Sequence, residues 1–477
     1  MKQITVIFVI ILSVFGLGCT SQNDSVSDQD DGGTVLTDQQ DIQGIWQGVL
    51  EVSGTKLRIV FNISAGQNSA LTATINSPDQ GVTGIPVDKV TFQNDKLNLE
   101  VQSIRGVYNG MFSEDDQTIN GNWEQSGQSF PLILQRTDKA PVLNRPQEPE
   151  RPYPYEDEEV IYKNETTGIE LAGTLTLPTS EGPFPAVLLI TGSGAQDRNE
   201  TILGHSPFLV LSDYLTRRGI AVLRVDDRGI GGSSGNVSQA TSEDFAGDVL
   251  TGVEYLKGRE EINSGKIGLI GHSEGGIIAP MAAVRSEDVA FIVMIGGPGV
   301  TGEEILYLQS ELMLISEGVS DDEITRNREM QSRIFDVVKN EIDNAAAEKK
   351  LNVILDEIEM PKENKQAEIE KYLSPWFRYF LTYDPKPTLI NVQCPVLAII
   401  GEKDMQVPPR QNLPVIEEAL LTGGNKDYTV MELPDLNHLF QTATTGFPSE
   451  YQQIEETISP TALDVIGDWI LQHTEYI

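Results

Sequence analysis

Cysteine is nearly absent from this chain: Cys19 and Cys394 are the only two in 477 residues. If Cys19 is consumed by modification, as argued below, no internal disulfide is possible and the fold must stand without one. Histidine is also scarce, with four residues. Neither a His-x-x-x-His pair nor a paired-cysteine set is available to bind metal, so no metal and no cofactor is expected. Basic residues are outnumbered, 34 against 71 acidic, for a formal charge of -37. A field of that sign repels nucleic acid and anionic lipid surfaces, and no nucleic-acid partner is expected. Long apolar runs are missing too. Ile4 to Phe15 is the longest of note and is too short to anchor stably across a bilayer.

What is present divides the chain. Hydrophobic content of 39% and charged content of 22% are ordinary for a globular protein, and 477 residues predict more than one domain. Residues 1–18 read as a signal peptide, with Lys2, an apolar core and Gly16-Leu17-Gly18 before Cys19. Cysteine after small residues resembles the lipobox of bacterial lipoproteins, which implies acylation of Cys19. The expected location is therefore the cell envelope, as a lipoprotein at the outer membrane or facing the periplasm; plain secretion is the alternative. Membrane association is expected through the lipid alone. Residues 19–40 are Ser, Asp, Gln and Gly with almost no large apolar side chain and read as a flexible tether.

Residues 41–138 change character. Short alternating runs such as Gly44 to Leu50, Leu57 to Phe61 and Leu97 to Val101 are separated by Gly/Asn/Asp turns, which predicts a small antiparallel barrel or sandwich. Its opening Gly44-Ile45-Trp46 resembles the first strand of lipocalin-like barrels. Residues 139–157 carry Pro141, Pro146, Pro149, Pro152 and Pro154 and read as a semi-rigid linker. From 158 to 477, apolar runs at 185–190, 221–225, 266–270, 290–295, 395–400 and 427–432 alternate with amphipathic stretches. That alternation predicts an α/β fold with a mostly parallel sheet.

The stretch Lys266 to Gly276 organises this second half. A buried-strand run, Ile267 to Ile270, leads straight into Gly271-His272-Ser273-Glu274-Gly275 and then into a helix-like segment. Strand, tight turn and helix form the context of a nucleophile elbow, with Ser273 at its tip. A serine hydroxyl needs a base, and the base needs an orienting acid. Elimination selects the base. His272 lies inside the elbow, His205 precedes the serine, and His473 is in the last helix. His438 remains, in a loop after a strand-like run. Asp404, in the loop after Val396 to Ile400, is the expected acid, with Glu402 and Asp435 as rivals. The oxyanion is expected to meet two backbone N–H groups, that of Glu274 and that of Ser193 in Thr191-Gly192-Ser193-Gly194, with Gly194 as the fallback. Asp226-Asp227-Arg228 reads as an ion-pair brace for the loops.

With these residues in view, the chain from about 158 onward resembles bacterial α/β-hydrolase carboxylesterases with a helical cap. Gly192 to Glu200, Arg224 to Gly229 and Gly271 to Gly276 together are similar to the EstD-like serine esterases. The resemblance implies an α/β-hydrolase fold, a small-molecule ester as substrate, and Ser273, Asp404 and His438 as the triad. It also implies a cap at 301–389, where Met313, Trp376, Phe377 and Phe380 either line an acyl pocket or pack the cap onto the core. A prolyl-oligopeptidase-type peptidase shares Gly-x-Ser-x-Gly-Gly and is the alternative within enzymes. A surface-anchored binding protein on an inactive hydrolase scaffold is the alternative outside them. The oligomeric state is not legible in the sequence.

Overall fold

The computed structural model describes residues 42–475 apart from 53–54, 67–70, 79–81, 115–116, 126–127, 139–143 and 358–361. The signal peptide, the tether, Cys19 and the start of the proline linker lie outside the described residues. The chain divides into two compact units, one made of the described chain up to Arg145 together with Ile202–His205 and one made of Pro146–Thr201 with the chain from Ser206 onward.

The first unit is all β. Its nine strands are β1 (Gly44–Val52), β2 (Thr55–Ala65), β3 (Leu71–Ser77), β4 (Val82–Pro86), β5 (Lys89–Gln93), β6 (Lys96–Val101), β7 (Gly106–Ser113), β8 (Thr118–Gln125) and β9 (Gln128–Thr137). They form one antiparallel sheet in the order β4-β3-β2-β1-β9-β8-β7-β6-β5. Alternate residues face inward, where Trp46, Phe61, Tyr108 and Trp123 are buried together. The barrel-like expectation is met by a half-barrel: among the described residues the terminal strands β4 and β5 are not paired with each other. Strand β4 was not legible, because Gly84 and Pro86 read as a turn. Proline cannot donate to a further ladder, so a Pro-bearing strand belongs at an edge.

The second unit has eight strands. These are β10 (Glu156–Lys163), β11 (Glu170–Leu177), β12 (Phe184–Ile190), β13 (Ala221–Val225), β14 (Ile262–His272), β15 (Phe291–Ile295), β16 (Val396–Gly401) and β17 (Tyr428–Leu433). Their order is β10-β11-β13-β12-β14-β15-β16-β17. Only the β10–β11 and β11–β13 pairs are antiparallel. Successive side chains of the central strands are buried on opposite faces. In β12, Leu188 and Ile190 enter one core and Val187 and Leu189 the other. Such strands read as unbroken apolar runs because neither face meets water.

Helices α1 (Pro207–Arg217), α2 (Ser242–Lys257) and α3 (Gly275–Ala283) connect the early parallel strands. Between β15 and β16 lies the insertion, with α4 (Gly302–Ser316), α5 (Asp321–Asn340), α6 (Asn344–Asp356), α7 (Lys362–Tyr372), α8 (Pro375–Thr382) and α9 (Lys386–Ile390). Capping boxes at Thr301/Glu304 and Ser320/Glu323 fix the starts of α4 and α5, each worth about 1 kcal/mol. Helices α10 (Pro409–Thr422), α11 (Pro448–Tyr451) and α12 (Pro460–Glu475) complete the unit. The sheet order, the two antiparallel pairs at one edge and the crossover helices are those of an α/β-hydrolase.

From Pro146 on, the proline segment belongs to this second unit and is fastened within it. Gln147 Oε1 accepts from the N–H groups of Thr457 (2.6 Å) and Ile458 (3.1 Å), and its amide donates to Ile458 O at 2.6 Å. Tyr155 is buried and its hydroxyl donates to Asp213 at 2.9 Å. A chain starting at Pro146 should therefore fold by itself. One starting at Glu156 loses these bonds, each worth about 1 kcal/mol, and should melt a few degrees lower. Circular dichroism melts of the two truncations decide it; equal melting points would show that the segment is not fastened in this way.

Candidate active site

The elbow forms because backbone groups crowd where β14 meets α3. A Cβ on Gly271 would stand 1.9 Å from the Gly275 carbonyl oxygen, and one on Gly275 would stand 2.2 Å from that of Ile190. Only glycine permits that approach. The chain turns through Ser273 at φ 53°, a left-handed conformation that costs a side-chain-bearing residue roughly 1–2 kcal/mol. Surrounding bonds hold it: Ser273 N–H donates to Ile295 O at 2.8 Å, and Ser273 O accepts from Gly276 N–H at 2.9 Å.

Three side chains from three loops meet there. His438 Nε2 lies 3.1 Å from Ser273 Oγ, and His438 Nδ1 lies 2.7 Å from Asp404 Oδ2. Asp404 is 2% exposed, and its Oδ1 accepts from the N–H groups of Gln406 (2.8 Å) and Val407 (2.7 Å). That arrangement aims Oδ2 at the imidazole. The rivals are engaged elsewhere. Glu402 accepts from Asp435 N–H at 2.9 Å, and the Asp435 carboxylate pairs with Lys403 at 2.7 Å. His473 belongs to α12, bonded to Trp469 O and Asp427.

The loop after β12 runs beside the serine. A Cβ on Gly192 would sit 3.2 Å from Ser273 Cβ and 3.1 Å from Glu200 Oε1, a tight fit that shows how closely this loop approaches the elbow. The Gly192 N–H is already spent, donating to Glu200 Oε1 at 2.6 Å. Among the described residues, no oxygen accepts from the N–H of Ser193 or of Glu274. The motif after β13 braces this loop. Asp226 binds Arg198 side-on (2.8 and 3.1 Å) and accepts its N–H, while Arg228 pairs with Asp248 at 2.7 Å. Half-buried Asp227 accepts from Thr191 Oγ1 at 2.8 Å and from Gln196 N–H at 2.9 Å. A cavity of about 50 Å³, walled partly by Gly192, Asp227, Arg228, Phe245 and Glu274, adjoins these groups.

These observations meet a family model. Residues 167–419, more than half of the chain, match that of the X-Pro dipeptidyl-peptidase (S15) family. The chain belongs to the S15 family. Over 402 residues it is 25% identical to esterase EstD of Thermotoga maritima, covering 79% of this chain and 89% of that protein. Over 133 residues it is 32% identical to the putative hydrolase YtaP of Bacillus subtilis, covering 24% and 44%. A solved esterase of Pyrococcus furiosus superposes at a TM-score of 0.43 and 16% identity, over 70% of this chain and 98% of the other.

In this S15 hydrolase a side chain of the insertion reaches the elbow. Trp376 on α8 donates its indole N–H to both carboxylate oxygens of Glu274 at 2.9 Å, and Ser242 Oγ donates to Oε1 at 2.6 Å. Burial raises the Glu274 carboxyl above its ordinary range, and the Ser242 and Trp376 hydrogen bonds oppose that shift. Of the four residues open between acyl pocket and packing, Met313, Phe377 and Phe380 are buried, Phe377 and Phe380 in the core itself. Half-buried Trp376 stacks on Phe380 with ring centroids 5.2 Å apart. The Trp376–Glu274 bond escaped the sequence reading, because nothing in the chain order links a helix of the insertion to the elbow.

Burial, with the Glu274 and Glu200 charges added, pushes the Asp227 carboxyl up to about 8 against the pull of its two hydrogen bonds. The folded state then holds a proton that the unfolded chain releases near pH 4. This contribution to stability is complete below that pH and is lost as pH rises through 8. Asp227→Asn, which keeps one acceptor and one donor, should lose less melting temperature between pH 5 and pH 8 than the wild type. Parallel slopes in thermal melts would refute it.

Proposed function

We propose that the protein is a serine carboxylesterase working through an acyl-enzyme. The observation that carries this reading is the unbroken hydrogen-bonded line Asp404–His438–Ser273, ending beside two amides that have no acceptor among the described residues. Asp404 holds His438 with its proton on Nδ1, which leaves Nε2 free to accept from Ser273 Oγ. As Oγ attacks the ester carbonyl, the proton moves to Nε2, and the carbonyl oxygen becomes an oxyanion held by the N–H groups of Ser193 and Glu274. His438 returns the proton to the departing alkoxide. Water, deprotonated by His438 in its turn, then releases the acid. The name and span of the esterase relative from Thermotoga maritima support an ester as substrate.

A second reading, cleavage of X-Pro peptides, is favoured by the family description alone. The same triad would serve it, since an amide and an ester share the tetrahedral intermediate. Hydrolysis of p-nitrophenyl esters beside X-Pro nitroanilides separates the two: ester turnover without anilide turnover is expected. Ser273→Ala should abolish ester turnover and fluorophosphonate labelling, and Asp404→Asn should lower kcat about 10⁴-fold through the wrong tautomer. Undiminished labelling of Ser273→Ala would place the nucleophile elsewhere.

The envelope location rests on the residues around Cys19. Cys19→Ser should move the protein from the membrane to the soluble fraction of its host. An unmodified soluble N-terminus in the wild type would overturn that reading.

A further inference from the structure

The triad uses one histidine, yet a second imidazole is buried directly behind it. His272 and His438 have ring centroids 4.9 Å apart. His272 Nε2 lies 3.0 Å from the main-chain oxygen of His438, and its Nδ1 lies 2.9 Å from Glu200 Oε1. A carbonyl oxygen can only accept, so Nε2 carries a hydrogen. Oε1 already accepts from Gly192 N–H at 2.6 Å, and Oε2 is buried with no hydrogen-bond partner. A proton on Oε2 would find no acceptor, and one on Oε1 would weaken the short bond from Gly192. The remaining position for it is Nδ1.

We propose that His272 is a buried imidazolium and that, with Glu200, it forms a positioning pair holding the oxyanion loop and the His438 loop in register with Ser273. Each bond ends on a different loop. Glu200 grips Gly192, one residue before the Ser193 amide. His272 is joined by its own backbone to Ser273 and grips the carbonyl of His438. One charge pair thus links the elbow to both loops that must meet the substrate. Glu200 itself sits at φ 52°, a left-handed conformation that persists where surrounding bonds enforce it.

The groups around the pair fit a cation at His272. Asp404 and the His438 ring face it from the acid and histidine loops, and the Asp227 carboxyl near Glu200 carries its proton at neutral pH and adds no charge. The remaining walls, among them Phe208, Leu211, Ile295 and Phe440, are apolar. Burial alone would push the His272 ring down, but the Glu200 carboxylate and the bond to His438 O outweigh it, and the ring is raised above the ordinary imidazole range. With Nε2–H engaged by the His438 carbonyl and Nδ1–H by Glu200 Oε1, both ring hydrogens should remain in place at neutral pH.

The role rests on Ser273 and His438 performing the chemistry, whereas the charge state does not, so the test has two arms on the full chain. Histidine is labelled with ¹⁵N, and the His272 signals are identified by their loss in His272→Phe or, should that variant not fold, in His272→Gln. The wild type should show two ring N–H correlations for His272 at pH 7 and pH 8. Glu200→Gln, which keeps an acceptor for Gly192 but removes the counter-charge, should show one. In the kinetic arm, kcat for a p-nitrophenyl ester is measured per fluorophosphonate-titrated site. Glu200→Gln should lower it about tenfold or more at pH 8, with KM within about threefold.

A merely structural defect would reduce the number of titrated sites and leave turnover per site unchanged. One ring N–H on wild-type His272 at pH 7 overturns the imidazolium. Glu200→Gln turnover per site within twofold of wild type at pH 8 overturns the positioning role. Two ring N–H correlations in a wild type with no esterase activity would uphold the charge pair and count against the ester reading.

Discussion

The site depends on how closely backbone can approach backbone at the end of β14. Gly271, Gly275 and Gly276 bring β14, β12 and α3 together at distances where no Cβ fits: a Cβ on Gly276 would lie 2.6 Å from Gly297 Cα. That crowding forces Ser273 into the left-handed region and lifts its hydroxyl clear of the sheet. The energy of the strained turn, roughly 1–2 kcal/mol, is small beside the burial of the strands that hold it. Every other group of the site is placed relative to this turn.

Carboxylates do most of that placing. Asp404, Glu200, Glu274, Asp226 and Asp227 each accept two or more hydrogen bonds from loop N–H groups or from polar side chains. An ionised carboxylate accepts at both oxygens and competes with no neighbouring carbonyl, so it suits loops rich in unpaired N–H groups. Burial of several such charges within one site calls for compensation. Arg198 supplies it for Asp226, and His272 supplies it for Glu200. Asp227 accepts from Thr191 and Gln196, neither of them a cation, and burial pushes its carboxyl up to about 8.

The insertion joins this network through Trp376, whose indole reaches the carboxylate of the residue that follows Ser273. Its other large side chains serve packing. Tyr307, Phe335 and Phe377 form a buried aromatic series continuous with the core of the α/β unit. A helix that packs through such side chains and touches the site through one indole is held in a fixed relation to the elbow. The Trp376 indole thus ties the helix that carries it to the carboxylate of Glu274.

Local chemistry was legible in the sequence wherever it is set by a few adjacent residues. The elbow follows from glycines flanking Ser273, the alternating half-barrel from period-two patterning, and the parallel strands from unbroken apolar runs, because sterics and solvent act on neighbours in the chain. His438 was reachable by elimination among four histidines, and Asp404 by its place in the loop after an apolar strand run. The rest was decided only in three dimensions. Strand β4 escaped because its Gly84 and Pro86 signal a turn until an edge is there to receive them. The fastening of Gln147 to Ile458 joins residues more than 300 positions apart, and neither end carries a local signature. The side-chain pairings of Glu200 with His272 and of Glu274 with Trp376 left no mark in the chain order. Their partners are fixed by strand order and by the path of the insertion, and a hydrogen bond depends on where two atoms meet rather than on how far apart they lie in sequence.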